Sequence, residues 1–298
     1  MGSCFSDNIG NLLESNKLKV KINPFGVIFN PISLINLLEW SKGEATLEDQ
    51  HFFESDGVWK HLDFHSSIFG ASRKELESKL EELRAEVGEW LEKTDFLLLT
   101  FGTAWVYEFT ETRKTVANCH KLPSSQFQKR LLSVEEIETT VSKLQKLLSK
   151  QTKVILTVSP IRHLKDTIPL NSVSKSILRF ACHQLTKNSK QFQYFPSYEI
   201  MLDDLRDYRF YEPDMIHPSE VAINYIWEAF TKAYFDSEGQ SFLLEWQKIK
   251  SSLNHKAFQP NSESHQKFLK SLLHKLEILS SKINVSEEIL TIKGQLIG

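Results

Sequence analysis

Asp95-Phe96-Leu97-Leu98-Leu99-Thr100-Phe101-Gly102 decides the fold class. It is a short, continuous apolar run closed by glycine, the pattern of a strand covered on both faces in a parallel sheet. Lys153-Val154-Ile155-Leu156-Thr157-Val158 repeats it, and Leu18 to Ile22 and Phe192 to Phe195 read as two further buried strands. Amphipathic helices lie between these runs. Leu76, Leu80, Leu83, Val87 and Trp90 recur at steps of three and four, as do Val134, Ile137, Val141, Leu144 and Leu148, and a third helix covers roughly Val173 to Thr186. Such alternation predicts a mainly parallel sheet between helical layers, with functional groups gathered beyond the C-terminal ends of the strands.

Further along, Ser219 is placed to cap a helix that buries Ile223, Ile226, Trp227, Phe230 and Tyr234, which closes an α/β domain over residues 1–236. Residues 237–298 carry no strand signal and are expected to be a helical extension. Leu269, Leu272, Leu276 and Leu279 have a spacing that serves either packing onto the body or oligomerisation through the C-terminal helices.

The 36 basic and 38 acidic residues leave a formal net charge of -2, with no electrostatic footprint for nucleic acid or an anionic membrane surface. No apolar stretch approaches membrane-spanning length, so membrane insertion is not expected. Cys4, Cys119 and Cys182 are odd in number and far apart, which suits free thiols in a reducing compartment; the chain reads as cytoplasmic.

Two segments carry candidate chemistry. In Asp214-Met215-Ile216-His217-Pro218 the carboxylate can accept from one imidazole nitrogen in a turn, fixing the tautomer and leaving the other nitrogen as a base. In Gly2-Ser3-Cys4-Phe5 a hydroxyl and a thiol stand where a helix begins. The positive helix end there favours thiolate and offers backbone N–H groups to an oxyanion. The same segment also reads as a helix cap at Ser3 beside a small buried Cys4. Arg162 and His163 follow an apolar strand and are expected at the reactive edge, where Arg162 can hold an anionic group or a structural ion pair. His61, Asp63 and His65 cluster after Trp59 and read as surface or pocket lining, with no metal expected.

Several blocks in order carry a resemblance: Gly2-Ser3-Cys4-Phe5-Ser6, Asn23-Pro24-Phe25-Gly26 through Pro31, Phe101-Gly102-Thr103-Ala104-Trp105, Asn118-Cys119-His120-Lys121, Ser159-Pro160-Ile161-Arg162-His163, and Tyr194-Phe195-Pro196-Ser197 through Asp214-Met215-Ile216-His217-Pro218. Together they resemble the GSCFA family over roughly residues 2–235. That family is similar to the GDSL (SGNH) esterases and lipases, which implies a flavodoxin-like three-layer sandwich and a catalytic nucleophile with an Asp-x-x-His pair. The resemblance places Cys4 at the nucleophile, with Ser3 beside it, His217 at the base and Asp214 at its orienting acid. Gly26 corresponds to an oxyanion-hole glycine. Where the esterases carry Gly-x-Asn this chain has Gly102-Thr103-Ala104, so Thr103 or Asn118 is expected to stand in for the missing donor. The esterases' first strand precedes the nucleophile, whereas only Met1 and Gly2 precede Ser3 and Cys4; the strand is apparently missing. The resemblance implies ester hydrolysis or acyl transfer on a small ester or acylated carbohydrate, without metal or organic cofactor. The alternative is a non-catalytic protein of the same fold that binds a ligand or partner.

Overall fold

The computed structural model describes residues 1–255 and 257–297. In chain order the elements are α1 (Cys4–Ser15), α2 (Pro31–Ser41), β1 (Phe52–Ser55), β2 (Val58–His61), α3 (Arg73–Lys93), β3 (Phe96–Phe101), β4 (Trp105–Phe109), β5 (Lys114–Val116), β6 (Phe127–Leu131), α4 (Val134–Ser142), α5 (Leu144–Leu147), β7 (Lys153–Val158), α6 (Ile168–Asn188), β8 (Phe192–Tyr194), α7 (Ser197–Glu199), α8 (Glu220–Tyr234), α9 (Ser237–Leu253), α10 (Glu263–Leu279) and α11 (Ser286–Lys293).

The two apolar runs pair as β3 and β7, parallel and in register from Phe96↔Lys153 to Phe101↔Val158, and β8 joins the far side of β7. Leu99, Phe101, Val154, Leu156 and Val158 are buried, as expected of strands covered on both faces. Helices pack around this sheet, so the fold is a flavodoxin-like α/β arrangement. Local chemistry starts the helices where the chain needs them. Asn30 accepts from Ser33 N ahead of Pro31, Ser72 accepts from Glu75 N, and Ser133 with Glu136 makes a reciprocal capping box. The periodic residues Leu76, Leu80, Val87 and Leu91 of α3 and Leu178, Ala181, Cys182 and Leu185 of α6 are buried.

Several expectations are corrected. Leu18 to Ile22 forms no strand. Val134 to Leu148 is split into α4 and α5, with Lys143 capping one and opening the other. The excursion between β3 and β7 contains an unforeseen antiparallel sheet, ordered β5-β4-β6, and β1 and β2 form a separate hairpin turned by Asp56 and Gly57, both at positive φ. The edge of β3 away from β7 is occupied by the chain start. Gly2 bridges Thr100 in parallel, Thr100 N donates to Met1 O, Ser3 N donates to Thr100 O, and the Met1 ammonium donates to Leu98 O at 2.7 Å. Three residues thus stand where the first strand is expected.

The chain divides into two compact units, one of residues 1–10 and 21–227, the other of residues 11–20 and 228–298. The second has its own core of Trp246, Ile249, Leu269, Leu272, Leu276, Leu279, Val285 and Ile292. Trp246 Nε1 donates to Ser15 O at 2.8 Å, and Lys17 pairs with Glu288 at 2.6 Å. The four leucines spaced for an intermolecular seam are therefore buried within this unit. Among the described residues, no helix is long and apolar enough to cross a membrane.

Candidate active site

Gly2 sets the start of the site. Its φ is +132°, and a Cβ there would lie 2.1 Å from Thr100 O, so only glycine lets the chain approach β3 this closely. Ser3 is fully buried and its Oγ accepts from Phe5 N at 3.3 Å, the geometry of an N-cap. Cys4, half-buried, is the first helical residue, and its N–H has no intrahelical acceptor. The expectation that the helix end favours thiolate is corrected: burial first, and the nearby Asp7 carboxylate second, push the Cys4 thiol above its ordinary value, outweighing the lowering by its own backbone N–H. Asn23 fastens this corner by accepting from Gly2 N at 2.8 Å and donating to Asp7 at 2.6 Å.

The Asp214–His217 segment adopts the turn that its spacing implies. Asp214 Oδ1 accepts from the backbone N–H groups of Ile216 and His217, and Oδ2 stands 2.6 Å from His217 Nδ1. These N–H bonds, backbone first, hold the Asp214 carboxyl down to about 2, so it stays ionised across the neutral range. With Nδ1–H donated to a carboxylate, the lone pair lies on Nε2, which has no hydrogen-bond partner among the described residues. Met215 takes a left-handed φ of +58°, and Tyr211 bridges Pro218 to close the loop.

Arg162 ties this loop to the end of β7. Its backbone N–H donates to Ile216 O, its guanidinium to Met215 O at 3.3 Å, and the same group lies 4.0 Å over the Tyr211 ring. The Arg162 side chain thus meets a carbonyl and an aromatic face. The next residue, His163, presents Nε2 toward Gly102, 3.2 Å from where a Cβ would stand. That nitrogen is buried without a partner, and burial, then the charges of Lys175 and His217, lower the His163 imidazole to about 3. A neutral imidazole with an unused nitrogen therefore faces the Gly102 turn.

The expected donors of Gly26, Gly102 and Thr103 are engaged elsewhere. Gly26 N–H closes a turn onto Asn23 O, and a positive φ with a close approach to His65 fixes its place. Gly102 and Thr103 N–H both donate to Phe29 O. The Thr103 hydroxyl is shared with Ser174 Oγ and Trp105 N. Asn118 lies beyond β5, donating from its backbone to Leu62 O and accepting from His120 N.

The model of the GSCFA family matches residues 1–230. The chain belongs to the GSCFA family. A second model, the GSCFA domain protein C-terminal domain, matches residues 246–298. No curated protein and no solved structure matches the chain.

One group of this GSCFA chain does not stand out in the sequence. Lys175 of α6 is 1% exposed, and its Nζ donates at 2.7 Å to both Gly102 O and Ser159 O, joining the ends of β3 and β7. Burial lowers the ammonium to about 7. The signal was present in the helical period: the spacing that buries Leu178, Cys182 and Leu185 also turns Ser174 and Lys175 inward.

Proposed function

We propose that this GSCFA chain hydrolyses or transfers acyl esters, with Cys4 as nucleophile, His217 as base and Asp214 as its orienting acid. The analogy is with the GDSL (SGNH) esterases. The observation that carries the reading is the His217–Asp214 pair, whose 2.6 Å bond leaves Nε2 as the proton acceptor. Cys4 contributes from the helix that starts beside Thr100, at the same strand ends that Gly102 and His163 border.

The chemistry is acyl transfer in two halves. Cys4 Sγ attacks the ester carbonyl as its proton passes to His217 Nε2, and the tetrahedral oxyanion is met by the Cys4 N–H. His163 Nε2–H supplies the second donor that Gly-x-Asn gives elsewhere; its neutral state lets it polarise oxygen without surrendering a charge. Collapse breaks the ester C–O bond, and the leaving alkoxide takes the proton from His217. Water, deprotonated by His217, then cleaves the thioester, releasing the acid and restoring the thiol; an alcohol in place of water gives transfer. The raised thiol makes His217 essential to this scheme, because Cys4 rests protonated. Small esters and acylated carbohydrates are the substrate class by fold analogy.

The same raised thiol also favours a second reading, a ligand-binding protein that performs no hydrolysis. Turnover of an activated acetate ester by Cys4→Ala, His217→Ala and the parent chain, each checked for unchanged unfolding, separates the two. Loss of at least about a hundredfold in both variants supports catalysis; equal turnover in all three removes it.

A further inference from the structure

Three ionisable side chains converge beside the β1–β2 hairpin, and none belongs to the site above. His51 ends a single helical turn at Asp49–His51, His61 is the last residue of β2, and Asp63 follows two residues later. His65, which the sequence groups with them, instead packs against Gly26. Both imidazoles of the trio are buried, at 1% and 0% exposure. His51 Nδ1 stands 3.1 Å from Asp63 Oδ1, His61 Nδ1 stands 3.8 Å from Asp63 Oδ2, and the three ligand atoms lie within 4.8 Å of one another.

The far nitrogens are held in place. His61 Nε2 is 3.2 Å from Glu48 O, and His51 Nε2 is 2.9 Å from Thr112 Oγ1. A carbonyl only accepts, so the His61 proton sits on Nε2, and the lone pair on Nδ1 accepts from the Asp63 backbone N–H at 3.2 Å. An ion held by that nitrogen and the Asp63 carboxylate takes the place of this N–H bond. Outer oxygens that orient the imidazoles are what metal-bound histidines require. A cavity of about 260 Å³ bordered by His51, Asp63 and Glu48 opens onto the cluster and can deliver water.

We propose that His51, His61 and Asp63 bind a divalent transition-metal ion of the zinc class, with water from the cavity completing its coordination. Ligand atoms held at 2.0–2.1 Å by one tetrahedral zinc stand about 3.3 Å apart. The 3.1 Å between His51 Nδ1 and Asp63 Oδ1 is close to that value, and the set as a whole, lying within 4.8 Å, closes up around the ion. Binding displaces the proton that His51 Nδ1 shares with Asp63, and the Thr112 hydroxyl can accept the alternative Nε2–H. Two imidazoles and one carboxylate select zinc-like ions over the all-oxygen preference of calcium or magnesium.

The test uses the full chain, stripped with a chelator and then titrated with Co²⁺, reading metal content and the visible spectrum. One equivalent with d–d absorption and no thiolate charge-transfer band, displaced by Zn²⁺, is the expected result, and affinity in Asp63→Asn falls at least about a hundredfold. A thiolate band would place the ion on a cysteine and overturn the proposal, as would failure of the parent chain to hold cobalt or unchanged affinity in a folded Asp63→Asn. Failure of the parent chain to hold cobalt overturns the proposal even where Asp63→Asn does not fold, and His51→Gln then serves as the second variant.

Discussion

Replacing Lys175 with Met removes one charge from the interior while keeping the length of the stem. The ammonium titrates at about 7 in the folded chain against 10.5 in the reference state. Below pH 7 both states hold the proton, and burying the charge counts fully against folding. Between pH 7 and 10.5 the unfolded chain holds a proton that the folded chain has released, so stability rises with pH. The rise is about 1.4 kcal/mol per pH unit and roughly 5 kcal/mol in all. Lys175→Met lacks this rise. It also leaves Gly102 O and Ser159 O without their donor, a loss of about 1–3 kcal/mol each that does not depend on pH. Urea unfolding of both chains from about pH 7 to about pH 10 therefore gives stability curves that diverge with a slope near 1.4 kcal/mol per pH unit. Other titrations, such as the buried Cys182 thiol raised to about 12, are common to both chains and cancel in the difference. Parallel curves would refute the reasoning: Lys175 would then keep its charge throughout, with the two carbonyls compensating fully for burial.

Gly2→Ala meets both a positive φ and the Thr100 carbonyl, so chemical denaturation is expected to show a loss of at least about 2 kcal/mol. In the second unit, Trp246→Ala deletes a side chain only 2% exposed together with its bond to Ser15 O. Thermal unfolding of that unit, followed in the full chain, is expected to register a loss of about 3–5 kcal/mol.

The sequence makes β3 and β7 legible because a strand buried on both faces has nearly every residue apolar, and runs of six residues bounded by Asp95 and Gly102 or by Lys153 and Pro160 are too short for a helix. Asp214 and His217 are legible because their interaction is local, spanning three residues. The features that stay hidden are of two kinds. The β4–β5–β6 sheet carries Gln128, Lys129 and Arg130 along its outer strand, so its hydrophobic pattern is diluted by exposure. Lys175 lies on the inward face by helical period, but its charge reads as solvated because its two carbonyl partners lie far away in sequence. His51 belongs to this second kind, being twelve residues from Asp63 with no spacing rule to join them. Leu18 to Ile22 fails in the opposite sense: it reads as a buried strand, but among the described residues no ladder partner runs beside it.

The detour between β3 and β7 also bears on how the chain folds. About fifty residues, including a complete three-stranded sheet, separate two strands that lie side by side. A crossover of about a dozen residues would suffice to join parallel neighbours. The difference is two doublings of loop length, or about 1.2 kcal/mol of additional closure entropy, small against what the buried strands contribute. Its larger effect is on timing. The β4–β5 turn closes over few residues, while β3 must wait for β7, so the local sheet is expected to form ahead of the parallel pairing that brings Gly102 and Ser159 to the same edge.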